Sequence, residues 1–204
     1  MTSTQSAEQL LQDMMTLYSK NIVHVYPDMK KLREVLTQLS DEEKLRILQQ
    51  EYSDWTPLTY AAVRDHTEII STLLTSLQSS ANRLKPLMVD RYTTPLHLAA
   101  FSGHTESVKV ILDCLTADQQ IQIMSVQDWE DETAIQYAEN YRPSDTVRIL
   151  REYQHRAENL MREAEQKRRQ EQQKINDEKT RQQLSGINAQ PIIVSVVDSY
   201  IHVL

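Results

Sequence analysis

Histidines, one cysteine and two acidic clusters are the residues here whose chemistry depends on spacing. The histidines are His24, His66, His97, His104, His155 and His202. Zinc hydrolysis of the helical type needs H-E-x-x-H, two histidines one turn apart with the glutamate as base, and the chain lacks it. The nucleophile elbow G-x-S-x-G is also missing. With only two glycines, Gly103 and Gly186, no glycine-rich phosphate loop can be built. Cys114 has no Cys-x-x-Cys companion and reads as a small packing residue. Asp41-Glu42-Glu43 and the run from Asp128 to Glu132 are dense enough in carboxylates to bring calcium to mind. They lack the spacing and central glycine of a calcium loop, and read as a helix start and a solvated loop. Lys167-Arg168-Arg169 sits in a nearly charge-balanced stretch and reads as a solvated face. The expectation is no catalytic residue, no cofactor and no metal, hence a protein that is not an enzyme.

Composition points the same way. Two glycines and six prolines in 204 residues favour long helices over strands and turns. A formal charge of −7 opposes phosphate-driven binding to nucleic acid. A single cysteine excludes an internal disulfide framework and fits a reducing compartment. The start, MTSTQSAEQL, has no basic-then-apolar signal pattern, and no apolar run reaches membrane-spanning length. The expected location is cytoplasmic, with a nuclear one left open by the basic cluster.

The elements that must position any site are best read from Thr93 to Leu115, TTPLHLAAFSGHTESVKVILDCL. Thr94 can cap a helix, and Pro95 suits its first position, where no amide donor is needed. Ala99 and Ala100 let helices approach closely. Gly103 permits the positive φ that ends the helix. Val108, Ile111, Leu112 and Leu115 give a second helix one apolar stripe. Thr94, Pro95, Leu96, His97, Ala99, Ala100, Gly103 and His104 resemble the ankyrin-repeat pattern T-P-L-H-x-A-A followed by Gly-His.

Two neighbouring segments resemble the same family. Asp54 to Leu77 keeps Thr56, Pro57, Leu58, Ala61, Ala62 and His66, with Thr59 for the usual His and Asp65 for the usual Gly. Asp tolerates a left-handed backbone better than most residues, so the turn is expected to survive. Glu132 to Gln154 keeps Thr133, Ile135, Ala138, Val147, Ile149 and Leu150; its polar Glu139 and Arg151 fit a C-terminal cap. Leu39, Leu77 and Leu115 recur every 38 residues, longer than the usual period of about 33. Two short segments with capping-box spacing, Ser40/Glu43 and Thr116/Gln119, predict a helical insert in each finger between repeats, with QSSANRLKPLM as a degenerate middle copy.

The resemblance implies an all-α ankyrin-repeat solenoid of helix-turn-helix units with a long C-terminal helix. Residues 6–53 form a degenerate helical cap, after five polar residues expected to fray. Within it Asp28 is placed to cap a helix. Residues 54–154 form the repeats, divided as 54–91, 92–130 and 131–154. Residues 155–185 form a charged helix ending at Gly186 and Pro191, with acid-first pairs at i, i+4 such as Glu165 with Arg169. A sustained heptad is absent, so a solvated single helix is expected, with a coiled coil as the alternative. Residues 186–204, including PIIVSVVDSYIHVL, are β-prone and apolar.

The resemblance also implies that His66, His97 and His104 are hydrogen-bonding scaffold residues. Family members meet partners at finger tips and at the exposed ends of first helices. Mapped onto this chain, those places are Trp55, Tyr92 and Trp129, and Val63, Arg64, Phe101, Ser102, Asn140 and Tyr141. The expected function is binding of another protein as a non-enzymatic scaffold module. The alternative is self-assembly, with residues 155–204 driving homo-oligomers.

Overall fold

A computed structural model describes residues 3–19, 28–52, 55–88, 93–141 and 145–188, and the described residues form helices, turns and isolated backbone bridges. The link at 20–27, Tyr92 and the β-prone tail from 189 onward lie outside them. The chain divides into two compact units, Met1–Met161 and Arg162–Leu204.

The first unit stacks helix pairs in two layers. The helices are α1 (Ser3–Ser19), α2 (Met29–Thr37), α3 (Asp41–Leu48), α4 (Pro57–Val63), α5 (Thr67–Ser76), α6 (Pro95–Ser102), α7 (Thr105–Asp113), α8 (Ala117–Met124), α9 (Ala134–Tyr141) and α10 (Asp145–Asn188). Helices α4, α6 and α9 pack side by side as an inner layer, with α1 against α4. Helices α2, α5 and α7 form an outer layer. Helix α1 starts at Ser3 rather than fraying through residue 5, and the Thr4 hydroxyl donates to Glu43 at 3.0 Å.

Each inner helix opens on a threonine and answers it three residues later. The Thr56 hydroxyl oxygen accepts the Thr59 amide at 3.2 Å, and the two hydroxyls meet at 2.8 Å. Thr94 accepts the His97 amide, and the His97 ring accepts the Thr94 amide. Thr133 pairs with Gln136 in the same way, its amide 2.8 Å from Oε1. Threonine, histidine and glutamine thus close one motif by three chemistries.

The turns out of α4 and α6 each take a left-handed residue. Gly103 supplies it at φ 72° and Asp65 at φ 55°. The bonds match: the amides of Gly103 and His104 reach Ala100 and Ala99, and those of Asp65 and His66 reach Ala62 and Ala61. Asp65 adds something glycine cannot. Its carboxylate accepts the Ser107 amide at 3.3 Å and the Ser107 hydroxyl at 2.7 Å, capping α7 of the next repeat. The N-cap residue of α7, His104, makes no side-chain cap bond itself. Its ring Nε2 lies 3.0 Å from the Val63 carbonyl at the end of α4.

The inserts take their expected forms. Helices α3 and α8 both open with complete capping boxes, and Asp28 caps α2 through the Lys31 amide. The middle copy is two 3-10 turns, Ser80–Asn82 and Lys85–Leu87, that bury Leu87. Insert is tied to insert: Asp41 accepts the amides of Gln78 and Ser79, which hold its carboxyl below the usual value against the opposing effect of burial. Buried Lys44 donates to the Ser76 carbonyl at 2.8 Å, and Gln119 to the Ser80 carbonyl at 2.9 Å.

Helix α10 does not stop at Gly186 but runs to Asn188. Glycine weakens a helix by about 1 kcal/mol yet keeps its amide, so it does not break the ladder as proline does. In the second unit the described side chains through Gln183 are exposed but for Ala164 in the adjoining turn, and Glu165 pairs with Arg169 at 2.6 Å.

Asp65 generates a prediction. Asp65→Ala loses the Ser107 cap, about 1 kcal/mol, and puts a Cβ without polar compensation at positive φ, about another 1 kcal/mol. Asp65→Gly, which restores the family pattern, relieves the backbone but still loses the cap. Urea unfolding should rank wild type above Asp65→Gly or level with it, and both above Asp65→Ala. A glycine variant clearly more stable than wild type would show that backbone relief outweighs the Ser107 bonds.

Candidate functional site

The last turns of α6 and α9 bring three aromatic rings together. Phe101 and Tyr141 lie with centroids 5.0 Å apart, and both are exposed. Tyr137 lies beneath them, 6.1 Å from Phe101 and 5.7 Å from Tyr141, and is buried. It also meets the His97 ring edge-on at 5.5 Å. Alanine explains the arrangement: Ala99, Ala100, Ala134 and Ala138 are fully buried where the helices approach, which leaves the rings to project where the helices end.

The finger before α9 is a small hairpin, with Gln127 bridged antiparallel to Thr133 and Asp131 at φ 60°. Asp128 organises it. One carboxylate oxygen accepts the amides of Glu130 and Glu132, each at 2.9 Å, and the other accepts the Tyr137 hydroxyl. Burial alone would raise Asp128, but the Tyr137 hydroxyl and the two amides outweigh it and hold the carboxyl below its usual value. Tyr137 is pushed up by burial and by the Asp128 carboxylate. Trp129 stands at the tip, about two-thirds exposed at 66%. Glu132 returns to α9, where Asn140 donates to its Oε1 at 2.6 Å.

His97 ties this finger to α6. Its Nδ1 accepts the Thr94 amide at 3.2 Å and therefore carries no proton. Its Nε2–H then donates to the Glu132 carbonyl at 3.0 Å. The ring is neutral and buried; burial holds its pKa below the usual value, against the pull of the Glu132 carbonyl and the Asp128 carboxylate. A cation three residues into a helix would also oppose the positive helix N-terminus.

The structure gathers Phe101, Asn140 and Tyr141 at one surface, joined to Trp129 through the Asp128–Tyr137 bond. Ser102, at the end of α6, is half-buried. Val63 and Arg64 end α4 and are also half-buried. Trp55 is half-buried, packs against the core and pairs its backbone with Tyr52. Tyr92 lies outside the described residues. Sequence reasoning missed Tyr137, and read Asp128 and Glu132 only as part of a solvated acidic loop. The available signal was the i, i+4 spacing of Tyr137 and Tyr141 on a helix whose neighbour carries Phe101.

Among the described residues, no three His, Cys, Asp or Glu side chains gather as metal ligands, and no helix is long and apolar enough to cross a membrane. Cys114 is half-buried; burial pushes its thiol up, which makes it a poor nucleophile at neutral pH.

Stacked helix pairs with fingers between them define a repeat solenoid. The family model for ankyrin repeats (three copies) matches residues 28–123 and 80–162, and the chain belongs to the ankyrin-repeat family. Ankyrin repeats are protein–protein interaction modules in general. No curated protein matches the chain.

His97 makes the junction sensitive to acid. Its folded pKa lies below the reference of 6.5, so unfolding takes up a proton once pH falls through that value. The stability it contributes is complete above 6.5 and is lost as pH falls toward the folded pKa. Urea midpoints should drop between about pH 7 and pH 5. His97→Gln should flatten the drop, since Gln136 shows that an amide oxygen can accept the same cap bond. An identical pH slope in wild type and variant would move the acid sensitivity to another group.

Proposed function

We propose that this protein is a non-enzymatic binding module that holds a protein partner on the surface formed by the last turns of α6 and α9 and the finger at 127–133. The observation that carries this is the exposed pair of Phe101 at 43% and Tyr141 at 50%, packed at tilted angles on a buried tyrosine. Side chains of this size left in water beside a rigid base are the kind that dominate interface energy. The base is rigid because Tyr137 is packed on three rings and bonded to Asp128. Asp128, the carboxylate nearest the rings, is already engaged by three donors, which fits a structural role better than acid–base work.

Phe101→Ala combined with Tyr141→Ala tests the reading. Both side chains are exposed, so the melting temperature should move by only a few degrees. Partner capture by the full chain should fall by more than about tenfold, in line with the loss of two aromatic anchors. Undiminished capture by a well-folded double variant would remove this surface as the site.

A further inference from the structure

We infer that the segment held on this surface is cationic: a stretch of partner polypeptide carrying arginine or lysine beside the aromatic anchors. The inference rests on the proposed binding surface and adds the chemistry of what it takes. Three observations carry it.

The first is charge. Glu130, Asp131 and Glu132 follow Trp129 directly, and Glu130 and Asp131 are exposed. The excess is general: the unit Met1–Met161 has twenty-three Asp and Glu against fifteen Lys and Arg. Glu139 does not belong to the set, because Arg151 already pairs with it at 2.5 Å. The second is the aromatic surface. Trp129, Phe101 and Tyr141 are exposed beside these acids, and aromatic rings attract guanidinium and ammonium groups. The third is an orphan acceptor. Glu132 Oε2 is shut off from solvent and has no hydrogen-bond donor, while Oε1 takes the Asn140 amide. An anionic oxygen without a donor is costly, and a cation settling against the finger would offset its charge without touching it.

The same charges exclude other occupants. A nucleic acid would meet like charge. A second copy of the helix beyond Met161 offers little net attraction, since residues 162–188 carry seven basic and five acidic side chains. Fixed carboxylates beside aromatic rings also discriminate between partners: an acidic segment is repelled, and a neutral one leaves Glu132 unanswered.

The test uses the full chain and two labelled peptides that differ only in charge: one alternates arginine with serine and leucine, and its twin carries citrulline at every arginine. Citrulline keeps the planar shape and loses the charge. Anisotropy titration should show the arginine peptide binding at least about tenfold more tightly than its twin, and weakening as salt rises. Glu130→Gln with Asp131→Asn should erase most of that difference; Asn accepts the positive φ at 131 as readily as Asp. Phe101→Ala with Tyr141→Ala should weaken both peptides. Equal binding of the twins overturns the cationic inference, and the surface itself then stands or falls on whether the aromatic pair still matters. Arginine-peptide binding indifferent to both double variants overturns it too, by placing the cation elsewhere. No arginine-peptide binding up to about millimolar concentration is likewise a refutation, and leaves the partner-capture experiment as the separate judge of the surface.

Discussion

The inner helices must lie closer together than ordinary side chains allow. Ala61, Ala62, Ala99, Ala100, Ala134 and Ala138 are all fully buried, and they are what makes that approach possible. Close parallel packing has two consequences. Helix dipoles run side by side in the same sense, so the helix starts must be closed by acceptors that add no positive charge. Threonine hydroxyls, a neutral imidazole and an amide do this at Thr56, Thr94 and Thr133. The close approach leaves Phe101 and Tyr141 to project near the helix ends, while Tyr137, mid-helix in α9, fills the space beneath them against His97 of α6.

The outer layer and the inserts are joined by a different device. Side chains of one repeat satisfy helix ends of the next: Asp65 with Ser107, His104 with Val63, Lys44 with Ser76, Gln119 with Ser80, and Arg83 with Cys114. Each bond spans about one repeat of sequence, between 31 and 42 residues, and none of these five spans two. That is the bonding of a one-dimensional stack, where every repeat depends on its immediate neighbours. It also explains how Asp65 can stand where glycine is usual. The left-handed backbone costs something locally, and the adjacent repeat supplies two hydrogen bonds in return.

Much of this was legible in the chain. The threonine helix starts, both capping boxes and the 38-residue spacing of Leu39, Leu77 and Leu115 are local patterns, and local rules produced them. What was not legible depends on loop geometry. Trp55 and Trp129 look equivalent as finger aromatics, but one finger pairs Tyr52 with Trp55 across a very short loop and buries its ring partway against the core. The other pairs Gln127 with Thr133 across a longer loop and lifts Trp129 into water. Asp128 reads as one acid among several, yet its bond to Tyr137 spans nine residues and depends on the hairpin having closed. Gly186 reads as a stop because glycine often follows helices, but here the helix runs on through it.

The end of the repeat stack shows why the acidic, aromatic surface stays open. One period beyond Leu115 stands Tyr153, and there the helix continues where earlier ones stop and give way to an insert. Tyr153 compensates by bonding rather than by burial alone. Its hydroxyl donates to Asp113 at 2.7 Å on α7, burial and that carboxylate push its pKa up to about 12, and Arg156 lies 4.3 Å over its ring. Arg156 also approaches Asp113, at 3.7 Å. The outer layer of the last repeat is therefore fastened without a following insert. In the preceding repeats an insert supplies the next layer; Leu87, for example, comes from turns packed on α3 and α4. The corresponding groove beside α8 and α9 is lined by Ile121, Met124 and Ile135, and Ile135 stays half-buried where Leu58 and Leu96 are fully covered. Among the described residues no further inner helix packs on the far side of α9, so Tyr141 stays exposed where the inner layer ends.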